Sequence, residues 1–194
     1  MDYMRNRQLG KLFKTILLFC FLMLTSCQPR HSRPEQDANS KSGNWKAFLE
    51  EKLPLLGHRN WIVVTDMAYP LQTNPGIITL YTTEPYHEVI KYVDDMIERA
   101  PHVFAHIYQD QEQQMLSEKL APGWEDYKAK LSQVLDFTDV QPVPHEELIA
   151  RLDEVSCFYR VIIIKTSLTV PYTSLFFELD CGYWDGQREK KIRE

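Results

Sequence analysis

Two continuous apolar runs, Trp61–Val64 and Arg160–Ile164 (the latter opening on its one charged residue), read as strands buried on both faces. Around them the hydrophobic period switches repeatedly. Trp45, Phe48, Leu49 and Leu53 share one helical face, with Asn44 placed to cap the helix and Pro54 and Gly57 placed to end it. A loop holding Pro70, Asn74, Pro75 and Gly76 leads to a strand over Ile77–Tyr81, and Thr83-Glu84-Pro85 opens a helix in which Val89, Ile90, Val93, Met96 and Ile97 recur every 3.6 residues. His102–Tyr108 reads as a strand, Gln111–Leu120 as a helix and, after the break at Pro122-Gly123, Trp124–Leu135 as another. Phe137–Val143 alternates strictly as a strand, Pro144 introduces a helix over Glu146–Val155, and Leu175–Leu179 closes the core. Strands alternating with helices predict one α/β domain over residues 44–184, three-layer α/β/α with a mainly parallel, mixed central sheet. The charged end, residues 185–194, predicts a frayed tail.

The start of the chain follows a different pattern. Arg5, Arg7, Lys11 and Lys14 precede an apolar stretch, Ile16–Leu24, too short to span a bilayer comfortably, and Leu24-Thr25-Ser26-Cys27 has the form of a bacterial lipobox. Residues 1–26 are therefore expected to be a lipoprotein signal peptide, with lipid carried on Cys27; the competing reading is an uncleaved anchor with an incidental cysteine. Residues 27–43 hold almost no large apolar side chain and predict a flexible tether. The expected location is the bacterial cell envelope, lipid-anchored and facing the periplasm, since no acidic cluster follows Cys27.

Removing residues 1–26 removes four basic side chains and Asp2, a net +3, and takes the formal charge from −5 to −8. An acidic body argues against nucleic acid as a partner and leaves neutral small ligands such as sugars open. With Cys20 in the signal and Cys27 lipidated, Cys157 and Cys181 remain, and the sequence leaves their pairing undecided.

The chain carries no glycine-rich phosphate loop, no Cys-x-x-Cys, no His-Glu-x-x-His and no nucleophile elbow, so nothing points to a cofactor, a metal centre or covalent catalysis. His102 and His106 would share one face of a strand but lack an evident third metal ligand. The strand at Trp61–Val64 is framed by an imidazole and a carboxylate, His58 and Asp66, residue types that serve acid/base chemistry and also serve as ordinary helix ends and loop starts. His145 stands at the first turn of a helix, where a second positive charge is disfavoured, so it is expected to act as a neutral hydrogen-bonding group or a plain surface residue. Tyr172 lies in the turn after Pro171, able to close a pocket or cover the core edge.

These residues together resemble a known family. GHRNWIVVTDMAYP resembles the Gly-His, apolar strand, Asp and Pro signature of the RbsD/FucU family of D-ribose pyranases and L-fucose mutarotases, with His58, Asp66 and Pro70 at its spacing. VPHEEL (143–148) resembles the ribose-type branch, and VIIIKTSLTVPYTSLFFELDCG (161–182) resembles the closing strand, tyrosine turn and strand. The chain departs from the pattern at Ser174, where asparagine is usual, at Met67, where alanine is usual, and at Thr166-Ser167, near the usual Gly-Glu.

The resemblance implies a monosaccharide mutarotase or pyranase that opens the cyclic hemiacetal by acid/base catalysis without a cofactor. Carried over, His58 is the proton donor and Asp66, His145, Tyr172, Thr173 and Ser174 hold the sugar. The eight residues from His58 to Asp66 span up to about 26 Å when extended, so either the chain bends at Arg59-Asn60 or neighbouring subunits share the pocket. The ring-shaped oligomers of the family imply the second and hence a homo-oligomer. The shorter reach of Ser174 and the secreted context keep a non-catalytic sugar-binding or scaffold lipoprotein on the same fold as the alternative.

Overall fold

A computed structural model describes residues 44–194. The signal peptide, the lipobox and the tether expected from the sequence lie outside the described residues. Among the described residues, six strands form one sheet: β1 (Trp61–Thr65), β2 (Ile77–Tyr81), β3 (Val103–Asp110), β4 (Val140–Val143), β5 (Val161–Lys165) and β6 (Leu175–Cys181), in spatial order β2-β5-β1-β6-β3-β4. β1, β2 and β5 pair in parallel, as do β3 and β4, while β6 runs antiparallel between β1 and β3. The mixed, mainly parallel sheet is the expected one.

The period-2 geometry of the central strands divides the core in two. Ile62 and Val64 of β1, Ile162 and Ile164 of β5, and Leu175, Phe177 and Leu179 of β6 face α1 (Trp45–Lys52), α2 (Tyr86–Glu98) and α3 (Trp124–Leu131). Trp61, Val63, Val161, Ile163 and Phe176 face the other way, onto Leu148 and Leu152 of α4 (His145–Ser156). Both apolar runs are thus covered on both sides, Trp61–Val64 at no more than 1% exposure, and each fully buried aliphatic side chain contributes about 1.5–3 kcal/mol. That double burial is why these strands lack polar alternation.

The boundaries differ from the sequence reading where polar side chains, not the core, decide. Asn44 does not cap α1 through its side chain; only its carbonyl accepts, from Phe48 N–H. Gln111–Leu120 forms only a 3₁₀ turn over Gln111–Met115 followed by turns, because Met115 and Leu120 have nothing to pack on and stay exposed. The helix expected over Trp124–Leu135 ends at Leu131. Phe137–Asp139 is a 3₁₀ turn capped by Asp136, whose carboxylate accepts from Thr138 N–H, and only Val140–Val143 joins the sheet. Residues 186–193 form a helix, α5, capped by Asp185 and carrying no buried residue, in place of a frayed tail. Cys157 and Cys181 are both free thiols. No helix among the described residues is long and apolar enough to cross a membrane.

Gly76 opens β2 where the end of α4 crosses it. A Cβ there would lie 1.8 Å from the Ser156 carbonyl oxygen, a backbone clash that only a shift of the β2–α4 contact relieves. Gly76→Ala is therefore expected to destabilise the domain by about 1–3 kcal/mol or more, read as a lower urea midpoint at unchanged slope.

Candidate binding site at the carboxyl end of the sheet

The parallel strands β1, β3 and β4 deliver their carboxyl ends to one edge of the sheet, and β6, running the other way, begins there. In open α/β sheets this is the edge where the strand-to-helix connections leave a crevice. Asp66 follows β1 and is 9% exposed; its Oδ1 accepts Ala68 N–H at 2.6 Å, a local turn that fixes the carboxylate. β3 extends two residues beyond the expected Tyr108 because β4 pairs with Ile107–Asp110, and this extension carries Asp110 to the same edge.

Asp110 is the most constrained polar group here. Its side chain is fully buried, Oδ1 lies 3.0 Å from His145 Nδ1, and Oδ2 has no hydrogen-bond partner among the described residues. Burial pushes its carboxyl up to about 6, with His145 opposing the rise and the nearby Glu112 and Asp66 carboxylates adding to it. His145 opens α4, and its backbone N–H donates to both oxygens of Glu112 at 3.1 and 3.2 Å, an anion where the helix end favours one. The helix start thus carries one carboxylate on its backbone N–H, Glu112, and a second, Asp110, against the imidazole, which is a hydrogen-bonding group here.

Tyr172 stands edge-on to His145, with ring centroids 5.4 Å apart, in a left-handed backbone conformation, φ 56°. Such a φ is uncommon for a bulky residue and is retained here by the turn on both sides. In that turn the Thr173 hydroxyl donates to Val170 O at 2.8 Å, and the Thr173 carbonyl accepts the phenols of Tyr86 and Tyr127. The Thr173 side chain is thereby used within the turn, whereas Ser174 is buried at the start of β6. Tyr86 and Tyr127 are held above the ordinary phenol range chiefly by burial, with Asp110 adding to both.

Five further buried side-chain polar atoms lack partners among the described residues, of which Tyr69 OH lies in the loop after β1 and Gln113 Nε2 in the turn after Asp110; the others are Trp61 Nε1, Gln72 Oε1 and Thr79 Oγ1. Burial, Asp153 and Asp110 all raise the Tyr69 phenol. An unpaired buried polar group costs about 1–3 kcal/mol, and Asp110 Oδ2, with Tyr69 OH near enough to feel the Asp110 charge, is hydrogen-bonding capacity that the fold itself leaves unused. Neutral hydroxyls suit such a cluster. With Asp66, Asp110 and Glu112 nearby, an anionic ligand does not.

His58 is not at this edge. It precedes β1 while Asp66 follows it, so the five-residue strand, about 16 Å long, separates the two. Arg59 does adopt a left-handed turn, φ 72°, but that turn only feeds the chain into β1 and does not fold His58 back. At its own edge His58 Nδ1 lies 2.6 Å from Asp180 Oδ1, Asp180 Oδ2 lies 3.4 Å from His106 Nε2, and Arg59 Nε–H donates to His58 Nε2 at 3.0 Å. With a donor on Nε2, the resting imidazole does not present the proton that the expected donor role requires. His102 is engaged elsewhere, its Nε2 3.1 Å from Leu53 O.

Asp66, His145, Tyr172, Thr173 and Ser174 are thus gathered at one edge, and His58 alone is placed at the other. Asp110, Tyr69, Gln113 and Asp180 were not singled out from the sequence. The alternation of LFFELDC carries a signal for Asp180, which falls on the same face as Phe176 and Glu178; nothing comparable marks Asp110, whose position depends on the length of β3.

No curated protein sequence matches the chain. Among solved structures it is similar to Bacillus subtilis RbsD complexed with D-ribose, at 16% identity and a TM-score of 0.49 over 71% of this chain and 95% of that one. It is similar also to the fucose mutarotase in complex with L-fucose from Streptococcus pneumoniae, at 14% identity and a TM-score of 0.45 over 73% of this chain and 94% of that one. Residues 41–181, the strand-framed histidine and aspartate, the His145 helix and the Tyr172 turn included, match the model of the RbsD / FucU transport protein family, and the chain belongs to that family.

Proposed function

We propose that the protein is a monosaccharide mutarotase or pyranase, interconverting cyclic sugar forms by cofactor-free acid/base ring opening. The observation that carries this reading is the gathering of Asp66, Asp110, His145 and Tyr172 at one sheet edge, with Asp110 Oδ2 buried and unpaired among the described residues, in a chain of this family. Opening a hemiacetal requires a base for the anomeric hydroxyl and an acid for the ring oxygen. His58 is one of these groups; Asp66, His145, Tyr172 and Ser174 hold the sugar, with Thr173 keeping the turn beneath it.

Because β1 lies between His58 and this cluster, a second copy of the chain brings its His58 to the pocket, and the working form is a homo-oligomer with sites between subunits. The lipid on Cys27, proposed from the lipobox alone, tethers the assembly to the bacterial envelope on its periplasmic side.

Saturation-transfer NMR at the anomeric protons of ribose, fucose, galactose and glucose tests the reading. Exchange above the spontaneous rate for at least one sugar is the expected result. Binding without exchange assigns a sugar-binding lipoprotein instead, and neither binding nor exchange over the panel overturns the sugar site altogether.

A further inference from the structure

Resting on the function just proposed, we infer that Asp180 and Arg59 hold His58 as a neutral imidazole, protonated on Nδ1, whose Nε2 lone pair is the proton acceptor for the anomeric hydroxyl. Asp180 is thus a positioning residue.

β6 runs antiparallel to β1, Trp61 lies opposite Glu178, and the pairing continues past the strand: Arg59 N–H donates to Leu179 O at 2.9 Å and Leu179 N–H to Asn60 O at 2.8 Å. This fixes the His58 segment against the last turn of the ladder, with Asp180 beside the imidazole. Asp180 Oδ1 meets His58 Nδ1 at 2.6 Å and also accepts Cys181 N–H at 2.6 Å; Oδ2 faces His106 Nε2 at 3.4 Å. Although burial acts to raise it, the Cys181 N–H and the imidazoles of His58 and His106 hold the Asp180 carboxyl below its ordinary value. An ionised carboxylate only accepts, so the proton of the shared bond sits on Nδ1.

The other nitrogen is fixed independently. A guanidinium only donates, and Arg59 Nε–H lies 3.0 Å from Nε2, so Nε2 carries a lone pair. Arg59 itself is held in its left-handed conformation with Nη1 donating to Tyr159 OH at 3.0 Å. Two neighbours of one-way chemistry therefore specify the same tautomer from opposite sides of the ring. The His58 side chain is 56% exposed, which leaves its Nε2 edge open to a ligand once the Arg59 Nε–H turns aside.

The proton balance follows. As the cyclic sugar opens, the O1–H bond breaks and its proton passes to His58 Nε2, the C1–O5 bond breaks as the C1 carbonyl forms, and O5 takes the proton held between Asp110 and His145 of the second copy proposed above, which forms the facing wall. The imidazolium so formed lies against Asp180. On closure O5–H returns its proton to the facing wall, O5 attacks the other face of C1, and His58 returns its proton to O1.

The test uses the full-length protein labelled with ¹⁵N-histidine. Long-range ¹H–¹⁵N correlation, with the His58 signals identified by their loss in His58→Ala, is expected to give a protonated Nδ1 and an unprotonated Nε2. Asp180→Ala is expected to move the proton to Nε2 and to slow anomeric exchange about 10- to 100-fold. Asp180→Asn, whose amide oxygen still accepts from Nδ1–H, is expected to keep the tautomer and recover the rate to within about tenfold of wild type. A wild-type His58 protonated on Nε2, or an Asp180→Ala protein with unchanged tautomer and rate, overturns the inference. Wild-type protein with the Nδ1–H tautomer, lost in Asp180→Ala, but with no exchange of any sugar overturns the proposed function and leaves the positioning of His58 standing.

Discussion

His58→Ala is expected to slow anomeric exchange by about 10²–10⁴-fold, the usual contribution of a positioned acid/base group, with little change in stability. The two effects separate because of where the residue sits. Its side chain is more than half exposed and its partner Asp180 is a third exposed, so the lost hydrogen bond is worth no more than the roughly 0–1 kcal/mol typical of surface pairs. No core residue touches the change. Exchange rates from saturation transfer, compared with the thermal midpoint of the same sample, check it: a lost rate at an unmoved midpoint is the expected outcome, and a retained rate removes His58 from the chemistry. Sugar affinity is expected to fall less than the rate, since the cluster at Asp66, Asp110 and His145 remains intact in the variant.

Asp110→Asn is expected to have the opposite balance, a gain in stability at neutral pH with a loss of sugar binding. The Asp110 carboxyl lies at about 6 in the folded chain against an ordinary 3.8, chiefly because it is buried. A group whose folded value is raised stabilises the fold fully below its unfolded value and loses that contribution as pH rises through its folded one. Stability assigned to Asp110 therefore falls between about pH 4 and pH 6 and stays low above it. The rise from 3.8 to about 6, in which the opposing effect of His145 is already included, corresponds to at most about 3 kcal/mol.

A neutral amide removes the penalty, so urea midpoints measured from pH 4 to pH 8 should fall less steeply in Asp110→Asn than in the wild type. A residual slope of the same sign persists, because Asp94 is also raised to about 6, by burial and by the neighbouring Glu98 and Asp95. Identical pH dependence in the two proteins would remove Asp110 as the strained group. A stabilised variant that no longer binds sugar would instead fit a site whose polar groups are kept unsatisfied for a ligand.

The two central strands were fully legible from the sequence, because burial on both faces leaves only one reading for WIVV and VIII: both are short, continuously apolar and punctuated by turns. The α2 stripe, Val89 to Ile97, was legible for the same reason. What the pattern did not reveal was polar in origin. Gln111–Gln114 has helix-forming residues but no apolar face, and tertiary context made it a turn. The C-terminal helix has no core contact at all; its Asp185 cap and the Arg193–Glu189 pair lie on the surface, where hydrophobic periodicity carries no signal.

The site divided along the same line. Asp66, His145 and Tyr172 came with motif positions at the ends of recognisable elements, so their gathering at one edge follows from strand direction. Asp110 depended on two extra residues of β3, and Asp180 on the antiparallel insertion of β6 beside β1, which is a long-range pairing that no local pattern encodes. His58 stands at its motif position, and Arg59, its sequence neighbour, sets a donor against its Nε2 in the resting chain. The donor-only chemistry of an adjacent arginine is a signal the sequence did contain.

The claim that one chain lends its His58 to the pocket of another is tested most directly by mixing two inactive proteins. His58→Ala retains the cluster at Asp66 and His145, and His145→Ala retains the His58–Asp180 pair. After co-refolding or co-expression, random assembly makes about one site in four complete, with His58 from one variant and His145 from the other. Saturation transfer on the mixture is expected to return about a quarter of the wild-type exchange rate per chain. A mixture no more active than its two components, alongside an active wild type, would contradict a shared site.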